Sequence, residues 1–115
     1  MPCVALIRCA TYDTAAVEAA VRSAVDSVGG MSAFVRPGWR VVLKPNILRA
    51  ASPDSAIITH PSVVRAVALM VKEAGATPIL AESPAGPFNN GMLRLAYSRG
   101  GYDKVAEETG MELNY

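Results

Sequence analysis

The stretch Arg36–Pro37–Gly38–Trp39–Arg40–Val41–Val42–Leu43–Lys44–Pro45–Asn46 decides the fold. Arg36–Pro37–Gly38 is a turn signal, since proline presets φ and glycine accepts the conformations that other residues resist. Trp39 to Lys44 then reads as a strand. Its centre, Val41–Val42–Leu43, is apolar without alternation. That pattern is expected of a strand covered on both faces in a parallel sheet. Lys44–Pro45–Asn46 ends the run with a polar, conformationally restricted exit.

Downstream, Pro45 to His60 shows no periodicity. Irregular segments of more than about 12 residues inside a compact domain are usually functional loops or disordered. Pro61 is suited to the first turn of a helix, which makes Thr59 or His60 its cap. That helix is expected to run to Ala74 and to stop at Gly75. Thr77 to Ala81 reads as the next strand, and Ser83 to Gly91 as a second irregular segment rich in Pro, Gly and Asn. Met92–Ser98 and Tyr102–Thr109 read as short helices divided by Gly100–Gly101, and Met111–Leu113 as a closing strand.

Upstream, Cys3 to Arg8 reads as a strand. Asp13 or Thr14 then caps a helix to Val28, with Val17, Val21, Val25 and Val28 on one stripe. Gly29–Gly30 stops it. The order β-α-β-α-β-α-α-(β) predicts a single α/β domain over residues 1–115, three-layered and Rossmann-like, with a small, mostly parallel sheet of three to four strands. So small a sheet, ending where a strand begins, is expected of the N-terminal portion of a longer domain, or of one that needs a partner.

Composition excludes several classes. Lys+Arg 11 against Asp+Glu 10 leaves a formal charge of +1 over 115 residues, without the basic excess of a nucleic-acid binder. With 51% hydrophobic residues the chain has a core to bury and is not disordered. No apolar run approaches the roughly 20 residues of a spanning helix, and MPCVALIRCATYD lacks the basic start of a secretory signal. Cys3 and Cys9 would lie about 20 Å apart on an extended strand, too far to pair. They are expected to fill core positions in a protein of the reducing cytoplasm. A Cys-ligated iron–sulfur cluster needs about four thiolates, and two cannot hold one.

In an open parallel sheet, ligands sit beyond the carboxyl ends of the strands. Three segments are expected to meet there: Lys44–Pro45–Asn46, Thr59–His60–Pro61 and Glu82–Ser83–Pro84. Lys44 would meet an anionic group as a point charge, or simply mark a strand end. Asn46 would bind ligand or bond its own backbone. His60, the one histidine, would be a neutral hydrogen-bonding, ligating or proton-transferring imidazole, or only a cap. Glu82 would act as a base or metal ligand, or be an ordinary strand exit, and Ser83 would cradle an anion. A metal site needs about three protein ligands, and this stretch offers two. Gly86–Pro87–Phe88–Asn89–Asn90–Gly91 has the makings of a backbone anion nest, less the donor that proline removes. The chain has no G-x-G-x-x-G after its first apolar run, no P-loop and no G-x-S-x-G.

Taken together, Val42–Leu43–Lys44–Pro45–Asn46, Thr59–His60–Pro61–Ser62–Val63–Val64–Arg65–Ala66 and Glu82–Ser83–Pro84 with Gly86–Pro87 form a recognisable series. With Gly29–Gly30, Val35–Arg36–Pro37–Gly38 and the closing Val105–Leu113, it resembles domain of unknown function 362 (DUF362). The resemblance covers nearly the whole chain. It implies a longer protein, often with a C-terminal ferredoxin-like module carrying two 4Fe-4S clusters, whose ligands lie outside this chain. It marks Lys44, Asn46, Thr59, His60 and Ser83 as family-pattern positions and implies no reaction.

The leading expectation is an α/β domain of a redox-linked protein. Its small anionic ligand would be bound by Lys44, Asn46, Thr59, His60 and Ser83, with His60, Lys44 and Glu82 as catalytic candidates if it is an enzyme and residues 45–60 as a lid. No cofactor is expected within the chain. The alternatives are a docking domain, meeting a ferredoxin-like module or a second copy through its sheet edge, and a fragment of a metal-dependent enzyme using His60 and Glu82. Neither nucleic acid nor membrane is an expected partner.

Overall fold

A computed structural model of the chain describes residues 2–86 and 89–115. Its elements are α1 (Thr14–Ser27), β1 (Arg40–Leu43), α2 (Pro61–Glu73), β2 (Thr77–Leu80), α3 (Asn90–Gly100), α4 (Tyr102–Thr109) and β3 (Glu112–Leu113), with 3-10 turns at Met31–Ala33 and Pro53–Ser55. The fold is α/β, with three parallel strands in the order β1-β2-β3. None of the described helices is long and apolar enough to cross a membrane.

Helix α1 begins where Asp13 caps it, its side chain accepting from the Ala16 N–H at 3.2 Å. Helix α2 is capped by His60, carries Pro61 in its first turn and ends in a Schellman turn. In that turn the Gly75 N–H donates to Lys72 O at 2.9 Å and the Ala76 N–H to Val71 O at 3.2 Å. Gly75 has φ +84°, and a Cβ there would sit 3.1 Å from that of Pro37. Glycine is therefore required at this position, where the end of α2 meets the Arg36–Pro37–Gly38 turn.

The core forms on one side of the sheet. Leu80 is fully buried among Val64 and Ala68 of α2, Tyr97 of α3, and Tyr102 and Val105 of α4, with Leu43 and Leu113 packed alongside. A second cluster joins Val35, Val71 and Ala76 to Val41. Burying each such aliphatic side chain contributes about 1.5–3 kcal/mol. Leu80→Ala, at the centre, would cost roughly 2–5 kcal/mol. Helix α1 lies against α2, fastened by Val17 and by ion pairs. Arg65 of α2 reaches Glu18 of α1 at 3.0 Å and Glu108 of α4 at 2.8 Å, and Arg22 of α1 reaches Glu73 of α2 at 2.7 Å.

Two expectations fail here. Cys3 to Arg8 is not a strand. Residues 2–13 run without regular structure, with Val4 at 91% and Leu6 at 94% exposure. A short apolar run alone does not make a strand, because a strand requires a hydrogen-bonded neighbour, and no described strand pairs with this segment. Cys3 and Cys9 are consequently exposed free thiols rather than core residues, and Cys9 Sγ donates to the Thr11 carbonyl at 3.2 Å. Strand β1 is also not covered on both faces, since Val42 is 59% exposed. Val42 lies on the sheet face opposite the core, where Arg40 of β1 and Glu112 of β3 pair at 2.6 Å across the central strand.

Candidate functional site

The parallel register brings the strand exits together. Leu43 aligns with Leu80, and the Ala81 N–H donates to Leu43 O at 3.0 Å, so Lys44 and Glu82 leave the sheet side by side. Lys44 Nζ lies 3.0 Å from Glu82 Oε1. The two partners are unequal: the lysine side chain is 70% exposed and the glutamate 8%. Burial pushes the Glu82 carboxyl up. Hydrogen bonds from the Ser83 N–H (2.7 Å), from Lys44 and from the Ile47 N–H outweigh that, and the group is held below the ordinary glutamate value. Glu82 is thus a nearly buried carboxylate whose lysine partner faces solvent.

Two tyrosines, which the sequence reading did not single out, lie beneath this corner. Tyr97 Oη accepts from the Glu82 N–H at 3.3 Å and donates to the Asn114 carbonyl at 3.0 Å. Tyr102 donates to the Thr59 carbonyl and is pushed up to about 12, by burial first and by the charge of Glu82 second. Tyr97 and Tyr102 meet edge to face. The signal for Tyr97 was its place on the row Leu93–Ala96–Tyr97–Gly100, the buried side of α3. Tyr102, heading α4 just after a glycine break, gave no comparable signal.

Asn46 and Thr59 close the neck of the long loop. The Asn46 N–H donates to Thr59 Oγ1 at 2.9 Å, and the Thr59 N–H donates to Asn46 O at 2.8 Å. Ile47 and Ile58 follow as an antiparallel bridge, both buried in the core. The Thr59 hydroxyl is therefore engaged in structure.

His60 is directed elsewhere. Its Nδ1 accepts from the Ser62 N–H at 3.2 Å and lies 2.7 Å from Ser62 Oγ, so the ring caps α2. An accepting Nδ1 places the ring proton on Nε2. Tyr12 stacks on the ring. Among the described residues no hydrogen bond or ion pair joins His60 to Lys44 or Glu82, and no group of three His, Cys, Asp or Glu side chains is placed to hold a metal. Ser83 enters through its backbone N–H.

Of the expected nest at residues 86–91, Pro87 and Phe88 lie outside the described residues. Asn89 caps α3, accepting from the Met92 N–H at 2.9 Å. Beside Lys44, a groove of about 270 Å³ runs between β1 and α2, lined by Val42, Pro45, Thr59, Val63 and Val67 among others. The corner can therefore present an ammonium at the mouth of an apolar groove.

Comparison with known proteins adds the following. The family described as domain of unknown function (DUF362) matches residues 41–115. A thylakoid-associated protein of Synechocystis sp. is 45% identical over 82 residues, which is 71% of this chain and 26% of that relative. The chain thus spans about a quarter of the length of this curated relative. No solved structure matches.

Proposed function

Since this chain belongs to the DUF362 family, a domain of unknown function, we propose that it is a binding domain whose strand-end corner takes a small anion with an apolar portion. One observation carries the reading: Lys44, held 3.0 Å from a nearly buried Glu82, keeps its ammonium exposed at the mouth of the apolar groove. A lysine fixed by a buried carboxylate is a preorganised cation, because less side-chain entropy is lost when the ligand arrives. The anionic end would take the free ammonium protons of Lys44, with the Asn46 and Ser83 side chains at the rim. The apolar end would lie along Val63 and Val67. Thr59 and His60 support this corner by holding the loop neck and the start of α2.

The redox link of the reading rests on the family resemblance. It belongs to a ferredoxin-like module outside this chain, which the anion site would serve. The metal-enzyme alternative has less support from the geometry, since Nδ1 of His60 is spent on Ser62 and Glu82 Oε1 on Lys44 and Ser83. The test is calorimetric titration of the chain with short alkyl phosphates and carboxylates, set against Lys44→Ala. Saturable binding lost in the variant supports the reading, and binding of equal strength in both proteins removes it.

A second reading, docking to a ferredoxin-like module or a second copy, is favoured by the exposed Val4 and Leu6 of the N-terminal segment and by the open Val42 face of the sheet. The outer edge of β1, at the end of the strand order, is a template for pairing. Sedimentation equilibrium distinguishes the two readings: concentration-dependent dimers without any ligand response favour docking.

A further inference from the structure

We propose that the surface formed by Leu48, Arg49, Ala85, Met92, Leu95 and Arg99 is a contact site for an anionic lipid surface. Helix α3 buries Leu93, Ala96, Tyr97 and Gly100. Met92, Leu95 and Arg99 follow at i, i+3 and i+7, a spacing that lines them up on an outer flank. Met92 is 41% and Leu95 45% exposed. Arg49 and Met92 line one shallow crevice with Ala85, and the Ala85 N–H donates to Leu48 O at 2.9 Å. That bond places Leu48, 51% exposed, at the end of the stripe.

Charge is segregated onto this side. The segments that build it, residues 45–52, 83–86 and 89–100, carry neither Asp nor Glu, and Arg49 and Arg99 are the charged side chains of the surface itself. The whole chain has a net charge of only +1, so the two positive charges here leave −1 on all other residues. Arg94 leaves α3 on a different flank and lies over the Tyr115 ring, 4.0 Å from its centroid.

Long apolar side chains interleaved with guanidinium groups fit a membrane interface. The apolar ends enter the headgroup–acyl boundary while arginine meets anionic headgroups. A single-stranded nucleic acid would call for exposed aromatic side chains to stack on, and none of the six residues is aromatic. The expectation of no membrane partner came from the lack of a spanning segment, which does not bear on peripheral contact. The stripe does not depend on the anion-site reading.

The experiment is co-sedimentation of the chain with vesicles of phosphatidylcholine alone or of phosphatidylcholine with phosphatidylglycerol, at low and high salt. Retention on phosphatidylglycerol vesicles that salt weakens is the expected result. Arg49→Gln with Arg99→Gln should lower the partition coefficient by about tenfold or more, and Leu95→Asp should lower it as well. All three side chains are exposed, and circular dichroism checks that the variants fold. Absence of retention, equal retention on phosphatidylcholine alone, or retention unmoved by both variants would overturn the proposal.

Discussion

The phenol ring of Tyr12 lies flat on the imidazole of His60, with ring centroids 4.0 Å apart and planes 8° from parallel. This contact fastens the end of the otherwise exposed N-terminal segment to the first turn of α2. One histidine thus serves two ends of the chain, capping a helix through Nδ1 and anchoring a segment through its face.

Removing that anchor has separable effects. Tyr12→Ala is expected to lose about 0.5–1.5 kcal/mol of stacking. His60→Ala should lose the stack and the cap together, with the cap contributing about 1 kcal/mol. His60→Asn should recover the cap alone. Urea unfolding midpoints give the ranking. Backbone amide order parameters of residues 3–12 should fall in both Tyr12→Ala and His60→Asn, and unchanged order parameters would show that the stack does not hold the segment.

Glu82 imposes an acid limit on stability. Its folded-state value lies below the ordinary glutamate value of about 4.3. Its contribution is therefore complete above that value and is lost as pH falls through the folded one. Glu82→Gln should cost roughly 1–2 kcal/mol at neutral pH and flatten this acid-side loss. Glu73, lowered by Arg22, titrates in the same direction in both proteins, so the difference between the two curves isolates Glu82.

Tyr102 imposes the opposite limit. Its phenol is raised to about 12 by burial, so the folded chain holds this proton more tightly than the unfolded chain does. Stability from this group is complete below about pH 10 and falls as pH rises toward 12. Tyr102→Phe should lose about 1 kcal/mol for the bond to the Thr59 carbonyl and show a shallower alkaline decline. Guanidinium melts across the alkaline range, compared with wild type, give both numbers.

Arg65 joins three helices through Glu18 and Glu108. Its side chain is 25% exposed, so Arg65→Met should cost only about 1 kcal/mol or less. The cost should shrink as salt is raised. A loss that salt leaves unchanged would assign the effect to packing of the arginine stem instead.

The sequence made the parallel core legible because its evidence is local. The apolar run at Val41–Leu43, Pro61 at a helix start and Gly75 past its end each fix a backbone state by themselves. Cys3–Arg8 misled because pairing is not local: its apolar run has the composition of a strand, but no described strand pairs with it. At the site, the Lys44–Glu82 meeting followed from parallel strand exits. The direction of the His60 ring was not legible in the same way. Position at a helix start was readable, but ring direction depended on Ser62 two residues on and on Tyr12 far upstream. Tyr97 and Tyr102 went unnoticed because their hydroxyls act on backbone groups, which sequence patterns do not display.

The closed neck at Asn46–Thr59 and Ile47–Ile58 has a consequence for how this region tolerates change. A ring fastened at its base uncouples the length of its tip from the position of its ends. Residues 52–56 can therefore be lengthened, shortened or exchanged while Lys44 on one side and His60 on the other keep their places. Here the ring works as a socket, in which the tip can be replaced without refitting the domain beneath it.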